Sequence, residues 1–167
     1  PFHRRGRQAD EILRAFKELW TSDKPAMDGE FVRFRDIGFA PKPVQKPHPP
    51  IWVGGNSPGA FKRVVTYGDG WHATYLQPPE LRASLDKLRA AADAAKRPFE
   101  SIELSMRCAA TKGPIKEWRE PVIELLVAYK KIGLTHVMLD VRRDSLTEML
   151  ESLDVVANEI RPAVSRA

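Results

Sequence analysis

The sequence predicts an α/β fold in which a parallel sheet is built from alternating strands and helices. Three observations support this class: short apolar runs alternate with amphipathic segments, glycine or proline marks the boundaries, and the strand–helix order continues from residue 51 to the end. Strict alternation favours parallel strands joined by right-handed crossovers. These observations leave open whether the sheet closes into a barrel or stays open.

The first fifty residues are predicted to be a helix followed by an extended insert. Apolar residues recur at helical spacing over residues 8–20, which predicts a helix with one packing stripe. Aromatic and charged residues alternate over residues 30–39, which indicates short extended pieces, such as a hairpin, outside the main sheet. Five prolines within residues 41–50 predict an extended connector.

Four strands and four helices are predicted after this connector. The strands are residues 51–53, 71–75, 101–109 and 135–141, and the helices are residues 59–67, a segment from Pro78 to before Pro98, residues 116–131, and a last helix. Gly133 is expected to end the third of these helices. The last helix is expected to pack through a stripe of apolar side chains: Leu146, Met149, Leu150, Leu153 and Ile160.

The composition predicts one domain, residues 1–167, of an ordinary soluble protein with 43% hydrophobic and 29% charged residues. No apolar run is long enough to cross a membrane. Cys108 is the single cysteine, which excludes an intrachain disulfide and a cysteine metal cluster and favours a cytoplasmic location. The net charge of +5 is dispersed, so a nucleic-acid partner is not expected.

The most informative stretch is Pro-Ile-Trp-Val-Gly-Gly-Asn-Ser-Pro at residues 50–58. Its apolar run has the length of a buried strand, and Ser57 can cap a helix whose first turn holds Pro58. Glycines allow close approach of a ligand, and free N–H groups at a helix start favour an anion. The alternative is an ordinary strand-to-helix turn that binds nothing.

Several segments together resemble the luciferase-like monooxygenase family. They are residues 7–20, Gly-Glu-Phe-Val-Arg-Phe at 29–34, Pro-Lys-Pro-Val-Gln at 41–45, Pro-Ile-Trp-Val-Gly-Gly at 50–55, Gly-Asp-Gly-Trp at 68–71 and Glu-Leu-Ser-Met-Arg at 103–107. The resemblance implies a flavin- or deazaflavin-dependent oxidoreductase with a (β/α)8 barrel. It follows the family's order over nearly the whole chain.

The resemblance is to the C-terminal half of that barrel. It implies a partial (β/α)8 TIM barrel, with about four C-terminal βα units preceded by a helix and an extended insert. A complete barrel takes ~250 residues. The family's first four strands carry much of the flavin-ring pocket, so this chain is expected to be a fragment or a truncated relative and to be inactive alone. The general acid or base is expected in the other half, and no catalytic residue is assigned.

The resemblance also implies which residues bind the cofactor, either FMN or coenzyme F-420. The turn of Gly54, Gly55, Asn56 and Ser57 is expected to hold its phosphate or phospho-linker. His72 and Thr74, at the end of the next strand, are further candidates for cofactor contacts. The alternative for His72 is a hydrogen bond to a loop. It has no partner at metal-ligand spacing, and no metal site is expected.

Arg107 and Asp140 lie near the ends of neighbouring predicted strands. We expect a buried ion pair that fixes the mouth of the sheet, with contact between Arg107 and an anionic ligand as the alternative. Cys108 is expected to lie in the core.

Two hypotheses about function follow. The first is the cofactor-phosphate-binding half of a flavin- or F-420-dependent oxidoreductase or monooxygenase, which acts by hydride transfer or oxygen activation on a small organic substrate. The second is a non-catalytic remnant that serves as an assembly or anion-binding module. A half-barrel would have unpaired edges near Ile51 and Val137, so a homo-oligomer, or association with the missing half, is expected.

Overall fold

The main sheet is parallel, and its four strands follow one another in space as they do in the chain. A computed structural model describes residues 2–109, 113–141 and 143–167. The main sheet consists of β3 (Trp52–Gly54), β4 (Gly70–Thr74), β5 (Glu103–Cys108) and β6 (His136–Leu139), and β1 (Met27–Asp28) and β2 (Arg33–Phe34) form a separate antiparallel pair. The helices are α1 (Arg5–Thr21), α2 (Pro58–Tyr67), α3 (Pro78–Ala94), α4 (Ile115–Ile132), α5 (Leu146–Val155) and α6 (Arg161–Arg166). The predicted α/β class and the parallel sheet are confirmed.

Successive residues of the main sheet alternate between a covered face and an open face. On the covered face, Trp71 and Met106 have no exposed surface, and Val53 and Leu104 are 6% and 7% exposed. Side chains from α2, α3 and α4 complete this core; they include Phe61, Val64, Leu81, Leu88 and Tyr129. Full burial of one such side chain contributes roughly 1.5–3 kcal/mol, so this face supplies most of the stabilisation.

The open face carries three rows of residues that are in register across the strands. From the amino to the carboxyl ends of the strands, the rows are Trp52, Gly70 and Glu103; then Gly54, His72, Ser105 and His136; then Thr74, Arg107 and Met138. Trp52 is 38% exposed and Met138 is 55% exposed. The prediction of a wholly buried first strand is therefore wrong for Trp52, because only Ile51 and Val53 turn toward the helices.

Within the described residues, the two outer strands β3 and β6 each pair on one side only. The predicted edges near Ile51 and Val137 are confirmed. Hydrogen-bonding groups of an unpaired edge can pair with another strand.

The antiparallel hairpin confirms extended pieces outside the main sheet but corrects their position. Met27 pairs with Phe34 and Asp28 with Arg33, while residues 35–50 contain no regular strand. The buried carboxylate of Glu11 on α1 determines this geometry, since it accepts hydrogen bonds from the backbone N–H groups of Glu30 at 2.6 Å and Phe31 at 2.5 Å.

The helix boundaries follow the capping residues. The Ser57 hydroxyl accepts a hydrogen bond from the Ala60 N–H at 3.2 Å, so the predicted N-cap is confirmed. Gly133 ends α4 in the left-handed conformation, with φ of 104°, as predicted.

The last predicted helix is divided into α5, a π-helical turn at Val156–Ile160, and α6. Pro162 lies in the first turn of α6 and lacks the N–H that would continue a regular helix. The expected packing stripe is wrong for its three leucines, because Leu146, Leu150 and Leu153 are 66%, 56% and 43% exposed. Ile160, at 1% exposure, is buried as predicted, and Ser152, which the stripe did not include, is buried as well.

No helix among the described residues is both long enough and apolar enough to cross a membrane.

Candidate functional site at the carboxyl edge of the sheet

The turn after β3 has the conformation that its glycines allow. Gly55 has φ of 104°, which favours glycine, and Ser57 begins α2 immediately afterwards. Within the described chain, the N–H groups of Asn56, Ser57 and Gly59 donate to no other group. These three donors at the N-terminus of a helix form a local environment that favours an anion.

The indole of Trp71 holds this turn in place from the core. Its Nε1–H donates to the Gly55 carbonyl oxygen at 2.8 Å, although Trp71 belongs to β4 and is completely buried. The ring of Phe61 packs edge-on against the indole, with the two ring centroids 5.5 Å apart. The position of the turn is therefore coupled to the packing of the core.

His72 is in register with Gly54 on β3 and Ser105 on β5. Its Nδ1 and the Ser105 hydroxyl are 2.9 Å apart, so the imidazole bonds to the neighbouring strand and not to a loop. Trp52 stacks on the same imidazole with ring centroids 6.3 Å apart. The second nitrogen, Nε2, bonds to no described residue and is available to a ligand.

Trp52 reaches this position by crossing Gly70. Its Nε1–H donates to the Glu103 carboxylate at 2.9 Å, two strands away. A Cβ at Gly70 would lie 2.6 Å from the indole Cδ1, so the absence of a side chain there makes room for the ring.

These residues surround a cavity of about 450 Å³ on the open face. Its lining consists of Trp52, Gly54, His72, Ser105, His136, Val137 and Met138. The structure thus brings two of the predicted site residues, Gly54 and His72, into one cavity. Gly55, Asn56, Ser57 and Thr74 lie outside its lining, at the same carboxyl edge of the sheet.

The ion pair between Arg107 and Asp140 forms, but the prediction that it is buried is wrong. The Arg107 side chain is 46% exposed and the Asp140 side chain is 26% exposed, because both lie where the strands end. The hydrogen bond between them raises the pKa of Arg107, and it lowers the pKa of Asp140. Cys108 is 4% exposed, which confirms its place in the core.

Sequence reasoning missed the contributions of Trp52, Trp71, Ser105 and His136. The period of two along each strand could have placed Ser105 and His136 on the face of His72, once the register was known. Nothing in the sequence indicated that Trp71 bonds to the turn. Within the described residues, no group of three or more His, Cys, Asp or Glu side chains could hold a metal ion.

A parallel sheet covered by helices on one face is the arrangement of part of a (β/α)8 barrel, and the turn after β3 lies at its carboxyl edge. The chain belongs to the luciferase-like monooxygenase family, whose family model matches residues 1–136.

Two characterised relatives are similar to parts of the chain. An FMNH2-dependent dimethylsulfone monooxygenase of Pseudomonas putida is 40% identical over 91 residues, which is 54% of this chain and 25% of that protein. The oxygenase component of a flavin-dependent trigonelline monooxygenase of Acinetobacter baylyi is 33% identical over 98 residues, or 59% of this chain and 26% of that protein. The matches to these two relatives thus span about a quarter of their lengths.

Solved structures share the fold at low sequence identity. An F-420-dependent secondary alcohol dehydrogenase, in complex with an F-420–acetone adduct, superposes with a TM-score of 0.76 at 18% identity, covering 96% of this chain and 62% of that one. A monooxygenase from Streptomyces bottropensis has a TM-score of 0.72 at 20% identity, covering 97% of this chain and 62% of that one. Both likenesses support the partial barrel.

Proposed function

We propose that this chain is the cofactor-phosphate-binding portion of a flavin- or F-420-dependent oxidoreductase. The reaction is hydride transfer or oxygen activation on a small organic substrate, and residues 1–167 act as one domain that is inactive without the remaining strands of the barrel. The observation that carries the proposal is the turn after β3, where three N–H groups donate to none of the described residues, next to Gly54, which lines the same cavity as His72. Family membership supports a flavin or deazaflavin as the anionic ligand.

The residues of the turn fit a phosphate. Gly54 has no side chain, and among the described residues a Cβ there would meet only the His72 carbonyl oxygen at 3.8 Å, so the space beside Gly54 at the start of the turn is open. The N–H groups of Asn56, Ser57 and Gly59 would donate to phosphate oxygens, and the dipole of α2 would add roughly 0.3–1 kcal/mol of stabilisation. Either FMN or F-420 carries such a group.

The open-face residues would bind and orient the rest of the cofactor. His72 would present Nε2 as a hydrogen-bonding group, and Thr74 would add a hydroxyl nearer the carboxyl edge. When bound, a reduced flavin or deazaflavin would supply a hydride, and a reduced flavin would also activate oxygen. Protein side chains have no equivalent of either chemistry.

Replacement of Gly54 by valine is expected to weaken cofactor binding at least about tenfold, because the new side chain would fill the approach to the turn. The measurement is titration of the purified protein with FMN and with F-420, followed by fluorescence. The backbone of Gly54 does not have a positive φ, so the substitution introduces no backbone strain there.

Gly38→Val is the matched control for this experiment. Gly38 lies in an exposed segment, and a Cβ there would meet nothing within 4 Å. Equal affinities of Gly54→Val and Gly38→Val for both cofactors would contradict the proposed phosphate site.

The unpaired edges support a second candidate, a non-catalytic module that assembles through its sheet. This module would self-associate at micromolar concentration through β3 or β6. Met138→Lys, which puts a charge on the edge strand β6, is expected to shift sedimentation profiles toward the monomer. Val44→Lys is the control, since Val44 is 92% exposed and lies outside the sheet. A stable wild-type monomer with cofactor affinity would exclude this candidate.

A further inference from the structure

Three side chains meet where β4, β5 and β6 end, outside the cavity described above. Arg107 belongs to β5, while Tyr75 and Asp140 directly follow β4 and β6. The Tyr75 N–H donates to the Arg107 carbonyl oxygen, and the Asp140 N–H donates to the Cys108 carbonyl oxygen, both at 2.9 Å. We refer to Tyr75, Arg107 and Asp140 as the rim clasp.

The rim clasp fixes the orientation of the Arg107 guanidinium. Its Nε–H donates to both Asp140 oxygens, at 3.1 and 3.0 Å, and the Tyr75 hydroxyl donates to the same carboxylate at 3.2 Å. Nη1 and Nη2 donate to no described residue. These two nitrogens are therefore available to a ligand. Their geometry matches that of a carboxylate, which they can bind through two parallel hydrogen bonds.

Other ordered arginines use their outer nitrogens within the protein. Arg97 donates from Nη1 to the carbonyl oxygens of Val64 and Gly68, at 3.0 and 2.6 Å. Arg119 donates from Nη1 to Glu159 and from Nη2 to Glu120, at 2.6 and 2.7 Å. Arg107 differs from both, because its side-chain hydrogen bonds to described residues all come from Nε.

Tyr75 adds a second independent feature to the rim clasp. Its backbone has φ of 56°, an unfavourable conformation for a residue other than glycine, and its side chain is 52% exposed. The Arg107 Cζ lies 5.6 Å from the centre of the phenol ring. Such local strain is concentrated at ligand sites, and the carboxyl edge is where barrel proteins bind ligands.

We infer that the rim clasp binds a carboxylate through Nη1 and Nη2 of Arg107, with the exposed ring of Tyr75 packing against the group that carries it. This inference rests on the proposed function, within which it identifies the ligand as an organic acid. The carboxylate could belong to the substrate or to the glutamate tail of F-420. β3 and β5 are two strand spacings apart, so Arg107 lies on a strand roughly 10 Å from the one that leads into the phosphate-binding turn. The two sites can therefore hold different anionic groups.

The test uses the full chain without cofactor and benzoate as the probe, followed through the Arg107 Nε–H signal in ¹⁵N-arginine NMR. Benzoate is expected to shift this signal, and Arg107→Ala is expected to weaken binding at least about tenfold, as the loss of two charged hydrogen bonds implies. Arg107→Lys keeps the charge and is also expected to bind weakly, because an ammonium cannot form the bidentate contact. If Arg107→Ala does not fold, the benzoate affinity of Arg107→Lys tests the inference in its place.

Arg119→Ala is the matched control, because it removes the same charge from another exposed arginine. Equal benzoate affinity in the Arg107 and Arg119 variants, or no binding to the wild type, would overturn the inference. Titrations of Arg107→Ala with FMN and with F-420 identify the source of the carboxylate. A loss of affinity for F-420 alone assigns the clasp to the cofactor tail, and unchanged affinity for both assigns it to the substrate. Because the benzoate assay contains no cofactor, failure of the phosphate site would not affect its result.

Discussion

Replacement of Trp71 by alanine is expected to lower the free energy of unfolding by about 3–5 kcal/mol, measured by urea denaturation. Trp71 is completely buried, and removal of its indole would leave a large cavity between β4 and α2. The substitution would also leave the Gly55 carbonyl oxygen without the hydrogen bond from Nε1. Stability and the conformation of the turn after β3 should therefore change together.

Trp71→Phe separates these two effects. Phenylalanine keeps an aromatic ring in the core but cannot donate to Gly55, so we expect a smaller loss of about 1–2 kcal/mol together with weaker cofactor binding. Trp52→Ala is the control for removal of a tryptophan that is not buried, since Trp52 is 38% exposed and lies on the other face of the sheet. If Trp71→Ala destabilised the protein no more than Trp52→Ala, the role assigned to the buried indole would be wrong.

Replacement of Glu11 by alanine is expected to lower the free energy of unfolding by about 2–4 kcal/mol, because two partly buried backbone N–H groups lose their acceptor. The Glu11 carboxylate is the acceptor for the N–H groups of Glu30 and Phe31, and Glu11 is only 4% exposed. Hydrogen exchange at these two amides should accelerate as the free energy of unfolding falls.

Glu18→Ala provides the comparison on the same helix. Glu18 accepts one exposed hydrogen bond, from the Ala26 N–H at 3.2 Å. Removal of the Glu18 carboxylate should therefore lower the free energy of unfolding by less than about 1 kcal/mol. Similar costs for the two substitutions would show that the hairpin is held by other contacts.

Most of the fold could be predicted because its signals are local. Apolar periodicity located the helices, and Ser57 and Gly133 determined their ends through capping, which depends on only a few neighbouring residues. The hairpin was misplaced because its position depends on a carboxylate nineteen residues earlier in the chain. The exposed leucines of α5 likewise show that a helical stripe does not determine which side is buried.

The candidate site was harder to predict because its geometry depends on register. The glycine turn could be recognised from adjacent residues, but the bond between His72 and Ser105 joins residues 33 positions apart. The pairing of Arg107 with Asp140 was expected, whereas its exposure depends on where β5 and β6 end. The roles assigned to Gly54, Gly55, Asn56, Ser57, His72 and Thr74 stay predictions until binding is measured.

The alternation of the two sheet faces has a consequence for how the sequence can vary. In each strand, neighbouring positions are subject to different constraints: Trp71 and Met106 must fit the helices, whereas His72 and Arg107 need not. A library that randomises only every second strand residue could therefore diversify ligand preference while it conserves the hydrophobic interior. Saturation of consecutive positions would mix the two classes, and most members would fail to fold before their chemistry could be selected.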